Sequence, residues 1–355
     1  MNTLTTPVIS QTLLATVVLI GLTGPLQAEL IAPSDERISI RGAIYPQPFG
    51  ELLRFSPERF STASPPTHGY NADKARATTG VSIGFETNSP RVKVIFSPGY
   101  SYNVGVFQDK KLVELAKSGK DGTLILQSEK PGEAVQFRLA LPTFSNPVFK
   151  GIEIDDGAEL FEKPPGRERV YVAVGDSITH GRGQDIGHQT WGWQVAEALD
   201  MEFYNLAVGG SNANAYLVEP IAELPRVDLV TILWGYNDWV NRGKTISEYA
   251  DDMNAAIDRI RESHPETVIA VMRMLNTLTE ESKRTGDQYS AADFRAAATQ
   301  LVEARRASGD SHISVIDSDT MTNLKNDLRD PVHLSLEGAV HLADAVTPEL
   351  KKLLD

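Results

Sequence analysis

The chain has 355 residues, of which 41% are hydrophobic and 23% are charged, and its formal net charge is −13. This length suffices for about two domains, and the composition is typical of a globular protein rather than a disordered one. The acidic balance argues against a general nucleic-acid-binding protein, which would carry a basic surface. The chain contains no cysteine, so disulfide bonds and thiol catalysis are excluded.

The first predicted element is an apolar segment, LLATVVLIGLTGPLQA, at positions 13–28. It is short for a membrane span and ends in small residues, which is typical of a secretory signal peptide cleaved near Ala28. An uncleaved N-terminal anchor is the alternative, because no lysine or arginine precedes the apolar run. We therefore expect residues 1–28 to be a signal peptide and the protein to be secreted or periplasmic in a bacterium.

Short alternating runs follow, with turn signals such as TNSP and KDGT between them and no long amphipathic helix. This rhythm predicts an antiparallel, jelly-roll-like β-sandwich, an accessory domain over residues 29–160. The linker is FEKPPGRER, at positions 161–169. The predicted strands cover residues 81–87, 91–97, 103–109, 122–128, 135–142 and 149–155.

From the linker onward, strand-like runs alternate with helical runs, so residues 161–355 are predicted to form a second domain. Strand–helix alternation implies a parallel sheet with helices on both faces, and ligand sites in such sheets form beyond the carboxyl ends of the strands. The predicted strands cover residues 170–174, 202–208, 227–235, 267–275 and 313–317. The predicted helices cover residues 246–262, 291–307 and 336–354.

The first of these strands runs directly into a serine, in VYVAVGDSITHG at positions 170–181. Ser177 therefore lies at the sheet edge where ligands bind. Gly, Asp and Ser are also common in turns and helix caps, so GDS alone does not identify a site. A serine hydroxyl becomes a strong nucleophile only when a base removes its proton.

The best candidate for that base is His333, in DPVHLS at positions 330–335, between the last predicted strand and the final helix. Asp330 precedes it by three residues, so a turn can bring the carboxylate to one ring nitrogen and leave the other for Ser177. His180 is a weaker candidate, because a residue so close to Ser177 in sequence rarely orients correctly. A surface aspartate beside a histidine at a helix start is the structural alternative for this pair.

Acyl transfer also requires hydrogen-bond donors for the oxyanion. Gly210, in NLAVGGSNA at positions 205–213, follows the second strand, and Asn237, in WGYND, follows the third. Together with the backbone N–H of Ser177 they make three candidate donors. Each segment alone could be a tight turn, whereas such elements at successive strand ends indicate a site.

These segments resemble the SGNH, or GDSL-type, hydrolase family. GDSITHG resembles its first block, NLAVGGSNA the glycine block, GYND the asparagine block, and DPVHLSLEGAVHLA the block with aspartate and histidine. The four blocks occur in order within slightly over half of the chain. The resemblance implies a flavodoxin-like sheet and ester hydrolysis, with Ser177 as nucleophile, His333 as base, Asp330 as its orienter, and Ser177, Gly210 and Asn237 lining the oxyanion hole.

A jelly-roll-like domain in front of such a hydrolase resembles the bacterial two-domain carbohydrate esterases that remove acetyl groups. The segment LPTFSNPVFKGIEID, at positions 141–155, is similar to the end of their accessory sandwich. The expected partner is an acetylated poly- or oligosaccharide, with no nucleic-acid partner and no membrane association beyond export. No metal or other cofactor is expected, since no HExxH motif or histidine-rich cluster is present.

A sugar-binding cleft should offer aromatic faces. Trp234, Tyr236 and Trp239 flank Asn237, and Trp239 is the best candidate for stacking on a sugar ring; core packing is the alternative. Two other functions remain open. A lipid-ester or thioester hydrolase would need a long apolar groove, but the loop GGSNANAY is polar. A non-catalytic glycan-binding protein would have no need for the Ser177–His333–Asp330 set.

Overall fold

The computed structural model of the chain describes residues 30–60, 70–281 and 288–355. The predicted signal peptide at residues 1–28 lies outside the described residues. Across the three described segments, no helix is both long and apolar enough to cross a membrane.

The N-terminal half consists of antiparallel strands, in agreement with the predicted fold class. The strands form a five-stranded sheet of order β1-β4-β9-β6-β7, a three-stranded sheet of order β10-β5-β8, and the small pair β2-β3. The two larger sheets face one hydrophobic core, to which both contribute apolar side chains. The elements are β1 (Ser39–Arg41), β2 (Tyr45–Pro46), β3 (Leu52–Leu53), α1 (Ala72–Ala75), β4 (Ser82–Thr87), β5 (Arg91–Phe96), β6 (Asn103–Gln108), β7 (Lys111–Lys117), β8 (Thr123–Gln127), β9 (Val135–Ala140) and β10 (Phe149–Ile154).

All six predicted strands of this half are present, within one or two residues of their expected ends. The sequence analysis missed β7, whose segment KLVELAK is mostly exposed at the sheet edge. Its turn uses Asp109 and Lys110, both at positive φ, in place of the glycine that usually marks such a hairpin. An exposed, charged edge strand with an atypical turn has no clear alternating signal.

The C-terminal half is a parallel sheet covered by helices on both faces, as predicted. Its strand order is β12-β11-β13-β14-β15, and all four pairings are parallel. Helices α4 and α5 pack in the core on one face, and α3 and α6 pack in the core on the other. The elements are β11 (Arg169–Gly175), α2 (Ser177–His180), α3 (Trp191–Ala198), β12 (Met201–Asn205), β13 (Leu229–Leu233), α4 (Ile246–Ser263), β14 (Val268–Met272), α5 (Ala291–Ala307), β15 (Ile313–Ile316) and α6 (Leu336–Leu354).

Local sequence explains why these elements begin and end where they do. Strand β13 reads LVTIL and is buried on both sides, as a central strand of a parallel sheet must be. Helix α4 begins after Thr245, which forms a capping box with Glu248. Its apolar residues Tyr249, Met253, Ile257 and Ile260, at steps of three and four, are buried. Helix α6 likewise begins after a capping serine, Ser335.

The two halves are joined by packing as well as by the chain, because side chains of the N-terminal half lie in both hydrophobic clusters of the parallel sheet. Phe55 and Ala75, from the excursion between β1 and β4, belong to the apolar cluster on one face of the parallel sheet. Phe107 and Ala140, from β6 and β9, belong to the cluster on its other face. The predicted domain boundary falls in the connection between β10 and β11, but the packing of the N-terminal half extends well across it.

Candidate active site

The topology places the loops of interest at one edge of the parallel sheet. The chain passes from β11 to β12 on one side and returns to β13 on the other side of β11, so the switch point of the sheet lies beside β11. In open α/β sheets, ligands bind in the crevice beyond the carboxyl ends of the strands at this point. Ser177 follows β11, Gly210 follows β12, and Asn237 follows β13.

A tight turn at the end of β11 presents Ser177. A Cβ on Gly175 would lie 2.5 Å from Oγ1 of Thr179 and 2.8 Å from the carbonyl oxygen of Leu233, so only glycine fits there. Asp176 caps α2 by accepting a hydrogen bond from the Ile178 N–H at 2.9 Å. Ser177 is the one residue between positions 171 and 181 that is not buried.

The structure brings the predicted serine, histidine and aspartate into one hydrogen-bonded chain. Ser177 Oγ lies 2.8 Å from Nε2 of His333, and Nδ1 of His333 lies 2.9 Å from Oδ2 of Asp330. The two loops that meet here are 156 residues apart in sequence. The sequence analysis anticipated this pairing from the two segments, and the structure gives its distances.

The Asp330 carboxylate is held in its charged form. Partial burial acts to raise its pKa, but hydrogen bonds from the backbone N–H groups of His333 and Val332 and from the His333 ring hold that pKa below its usual value. With Asp330 ionised, Nδ1 of His333 carries the hydrogen, and Nε2 is left as the acceptor for the Ser177 hydroxyl.

Two backbone N–H groups beside Ser177 have no hydrogen-bond acceptor among the described residues. One is the N–H of Ser177, at the first turn of α2, and the other is the N–H of Gly210. Gly210 adopts φ +88°, which favours glycine. The Gly210 loop is tied to the nucleophile turn, because Ser211 Oγ and the Val208 N–H both donate to the carbonyl oxygen of Gly175, each at 3.1 Å.

Asn237, the third predicted donor, is committed within the site. Its Nδ2 donates to the Ser211 carbonyl oxygen at 2.8 Å and to Oδ2 of Asp176 at 3.2 Å. Its two amide hydrogens therefore already have acceptors, and Asn237 ties the three loops together.

Asp176 is a buried carboxyl group that the sequence analysis did not single out. Burial raises its pKa to about 7 and the neighbouring Asp238 adds to the shift, while the hydrogen bond from the Ile178 N–H opposes it. Asp238 is itself buried and is paired with the Lys244 ammonium at 2.7 Å. The loops around Ser177 are therefore braced by carboxyl groups that solvent does not reach.

His180, the alternative base, has a different place in the structure. Its Nδ1 accepts from the Gly209 N–H at 2.9 Å, and its Nε2 lies 3.3 Å from the carbonyl oxygen of Thr143. The ring is fully buried and stacks on Phe144 at a centroid distance of 4.1 Å. Burial holds its pKa well below the usual value, so the ring is neutral. Both ring nitrogens are occupied, and Ser177 is bonded to His333 instead.

Of the three aromatic residues predicted to bind substrate, Trp234 lies in the hydrophobic core, so that prediction is wrong. Trp234 is only 1% exposed, because it continues the buried face of β13 into the core and Nε1 points to Ser211 Oγ at 3.4 Å. Tyr236 and Trp239 are half-buried and contact each other edge to face, with ring centroids 6.3 Å apart. These two remain candidates for substrate contact.

A further contribution, also missed from sequence, comes from the N-terminal half. The Lys74 ammonium, on α1, donates to the carbonyl oxygen of Gly209 at 2.9 Å. The guanidinium of Arg54, which is 0% exposed, bonds the carbonyl oxygens of Asn205 and Ala207 at the end of β12. No local motif marks a lysine or arginine that acts across such a distance in sequence.

Comparison with known proteins is consistent with this geometry. Residues 173–340 match the GDSL-like Lipase/Acylhydrolase family. No curated protein gives a match to the chain. Among solved structures, the chain is similar to a salicylyl-acyltransferase from a tetracycline biosynthetic pathway, at 22% identity and a TM-score of 0.80, covering 92% of this chain and 97% of that one.

Two carbohydrate esterases show the same two-part fold. A family two carbohydrate esterase from Cellvibrio japonicus is 16% identical with a TM-score of 0.65, covering 93% of this chain and 98% of that one. A family two carbohydrate esterase from Clostridium thermocellum in complex with cellohexaose is 18% identical with a TM-score of 0.59, covering 78% and 94%. At these identities the likeness establishes the fold. Residues 173–340 of this chain therefore belong to the GDSL-like lipase/acylhydrolase family of esterases and acyl hydrolases.

Proposed function

We propose that this protein is an exported serine esterase that removes acetyl or other short acyl groups from a carbohydrate through an acyl-enzyme. The observation that carries the proposal is the hydrogen-bonded chain from Ser177 Oγ through the His333 ring to Asp330. A hydroxyl, an imidazole and an ionised carboxylate in this order make up the set required for nucleophilic acyl transfer.

In the first half of the reaction, Ser177 Oγ attacks the ester carbonyl carbon as its proton passes to Nε2 of His333. The imidazolium that forms is stabilised by the Asp330 carboxylate, which remains ionised. The tetrahedral intermediate then expels the sugar alcohol, which takes the proton from Nε2. In the second half, His333 activates a water molecule, which attacks the acyl-serine and releases the acid.

The oxyanion of each intermediate is proposed to bind the backbone N–H groups of Ser177 and Gly210, which have no acceptor among the described residues. Donors already aimed at the developing charge need no reorganisation, and each is typically worth about a hundredfold to a thousandfold in rate. Asn237 can add a third donor only by exchanging its 3.2 Å bond to Asp176 for one to the oxyanion. Its main role in this proposal is to hold the loops in register.

Three observations support a carbohydrate substrate. Half-buried Tyr236 and Trp239 lie on the segment that follows β13 and offer aromatic surface. The loop after β12, GGSNANAY, is polar, whereas a long acyl chain would require an apolar groove. The two-part fold is that of family two carbohydrate esterases, one of which is known in complex with cellohexaose. Export rests on the apolar segment at positions 13–28.

Acyl transfer to an alcohol is the second candidate. It is favoured by the high structural similarity to a salicylyl-acyltransferase over 92% of this chain. The chemistry through the acyl-serine is the same, and the two functions differ only in whether water or an acceptor hydroxyl attacks it. Adding a sugar acceptor and measuring the ratio of acylated acceptor to free acid would separate them.

The proposal is tested by comparing the wild type with Ser177→Ala on p-nitrophenyl acetate, butyrate and octanoate, and by acetate release from a panel of acetylated glycans. We expect hydrolysis of the acetate ester to exceed that of the octanoate, and Ser177→Ala to lose at least about a thousandfold in kcat. Ser263→Ala, at the end of α4 away from the site, is the matched control and should keep full activity.

Equal and negligible hydrolysis by the wild type and Ser177→Ala would refute the esterase. Glycan binding by both proteins without hydrolysis would instead establish the non-catalytic alternative. A preference for octanoate over acetate esters would favour a lipid-ester substrate.

A further inference from the structure

The peptide group that joins Gly209 to Gly210 is bound by a cation on the side away from its own N–H. Its carbonyl oxygen, on Gly209, accepts from the Lys74 ammonium at 2.9 Å. The peptide is trans, so this carbonyl and the Gly210 N–H point in opposite directions. The ammonium therefore holds one end of the dipole whose other end is the proposed oxyanion donor.

Lys74 is itself held in place. Helix α1 is capped by Asn71, whose side chain accepts from the Lys74 N–H at 3.0 Å. The Lys74 carbonyl oxygen accepts from Nη2 of Arg54 at 3.0 Å, and Nη1 of the same guanidinium donates to the Asn205 carbonyl oxygen at 2.7 Å. One buried cation thus links the helix that carries Lys74 to the strand that leads into the Gly209 loop.

The Lys74 ammonium also lies close to Gly210 itself. A Cβ built on Gly210 would lie 3.5 Å from Nζ of Lys74. Among the residues that the structure describes, this ammonium pairs with no carboxylate, and it donates to the backbone carbonyl oxygen of Gly209. Its positive charge is therefore directed at the Gly209–Gly210 peptide.

We propose that Lys74, contributed by the N-terminal half, is a positioning residue that orients and polarises the Gly209–Gly210 peptide for oxyanion binding. The inference rests on the function proposed above. A hydrogen bond from a cation to a carbonyl strengthens the donor at the other end of the same peptide, because linked hydrogen bonds polarise one another. Negative charge develops on the substrate oxygen only in the transition state, so the effect should fall on kcat and leave KM nearly unchanged.

The first test compares Lys74→Met and Lys74→Arg with the wild type on p-nitrophenyl acetate. We expect Lys74→Met to lower kcat by about tenfold to a hundredfold with KM within twofold, which is less than the loss of a direct oxyanion donor. Lys74→Arg, which keeps a cation and a donor, should recover most of that loss. Lys150→Met is the matched control, because the exposed Lys150 also donates to a backbone carbonyl, that of Phe49 at 3.0 Å, away from the site.

A chemical rescue separates charge from folding. The chain has no cysteine, so Lys74→Cys introduces a single modifiable thiol. Alkylation with 2-bromoethylamine restores an ammonium at nearly the lysine length, whereas alkylation with iodoacetamide adds a neutral group to the same backbone. We expect the aminoethylated protein to be at least about tenfold more active than the carbamidomethylated one.

Three results of these experiments would contradict the role of Lys74. Activity of Lys74→Met within twofold of the wild type, a change in KM alone, or equal activity after the two alkylations would overturn the inference. If the wild type is active and Ser177→Ala is not, such a result removes only the role of Lys74. If the wild type and Ser177→Ala hydrolyse no ester at all, the proposed function fails and this inference fails with it.

Discussion

The two halves of this protein contribute to the site by different physical routes. In the C-terminal half all five strands run the same way, so the loops after β11, β12 and β13 emerge at one edge and place Ser177, Gly210 and Asn237 together. In the antiparallel half, strand ends alternate between the two edges and no such gathering occurs. That half reaches the loop after β12 through Arg54 and Lys74, which lie between β1 and β4.

The halves also differ in the charge that they bring. The C-terminal half supplies the carboxyl groups of the site, Asp330 at its surface and Asp176 and Asp238 in its interior. The N-terminal half supplies two cations, Lys74 and the buried Arg54, and both bond backbone carbonyls at the end of β12 or in the loop after it. The site is therefore built from side chains of both halves, although the motifs that predicted it all lie in the C-terminal half.

The largest predicted effect is a loss of activity on a substitution confined to the C-terminal half. Asp330→Asn removes the carboxylate that fixes the His333 tautomer, so kcat for p-nitrophenyl acetate should fall by about a hundredfold to ten-thousandfold. Thermal unfolding should change little, because Asp330 is only partly buried. Asp344→Asn, on the exposed face of α6, is the control. A loss below tenfold would contradict the orienting role.

The next effect comes from breaking the contact between the halves. Arg54→Leu leaves the carbonyl oxygens of Ala77, Asn205 and Ala207 without a buried donor, so the free energy of unfolding in urea should fall by about 3–5 kcal/mol. Arg91→Met, which removes an exposed ion pair with Asp155, should change it by less than about 1 kcal/mol. Similar values for the two variants would mean that Arg54 does not join the halves.

The smallest predicted effect is a pH dependence of folding stability that arises where the two halves touch. His188 packs edge-on against Phe107 of β6, and burial, with the nearby charge of Arg138, lowers its pKa to about 4. A histidine whose pKa is lower in the folded state stabilises the protein above its unfolded pKa of about 6.5, and this stability is lost as the pH falls toward 4. Between pH 7.5 and pH 4.5, we expect the free energy of unfolding of His188→Gln to fall by about 2 kcal/mol less than that of the wild type.

The measurement is urea unfolding at pH 7.5 and pH 4.5, with His312→Gln, an exposed histidine, as control. Parallel losses of stability in the wild type and His188→Gln between these two pH values would contradict the predicted titration. A difference confined to His188→Gln would locate acid sensitivity at the contact between the halves.

Much of the fold could be predicted because its signals are local. Helix α5 was predicted and found over residues 291–307, since its caps, Ser290 and Ser308, and its buried residues all lie in or directly beside the segment. The Asp330–His333 hydrogen bond was also within reach, because a single turn spans three residues. The strand–helix alternation then implied a parallel sheet, which places the ends of β11 and β12 at one edge before any coordinate is known.

From the sequence we predicted most of the longer strands and helices, their order, and the chemical groups at the strand ends, but not the edge strand β7. Three features became visible only in the folded chain: Trp234 lies in the core, His180 stacks on Phe144, and Lys74 contacts Gly209 across 135 residues of sequence. The reason is physical: periodicity and turn chemistry are written in neighbouring residues, whereas a contact between distant segments depends on how whole surfaces pack.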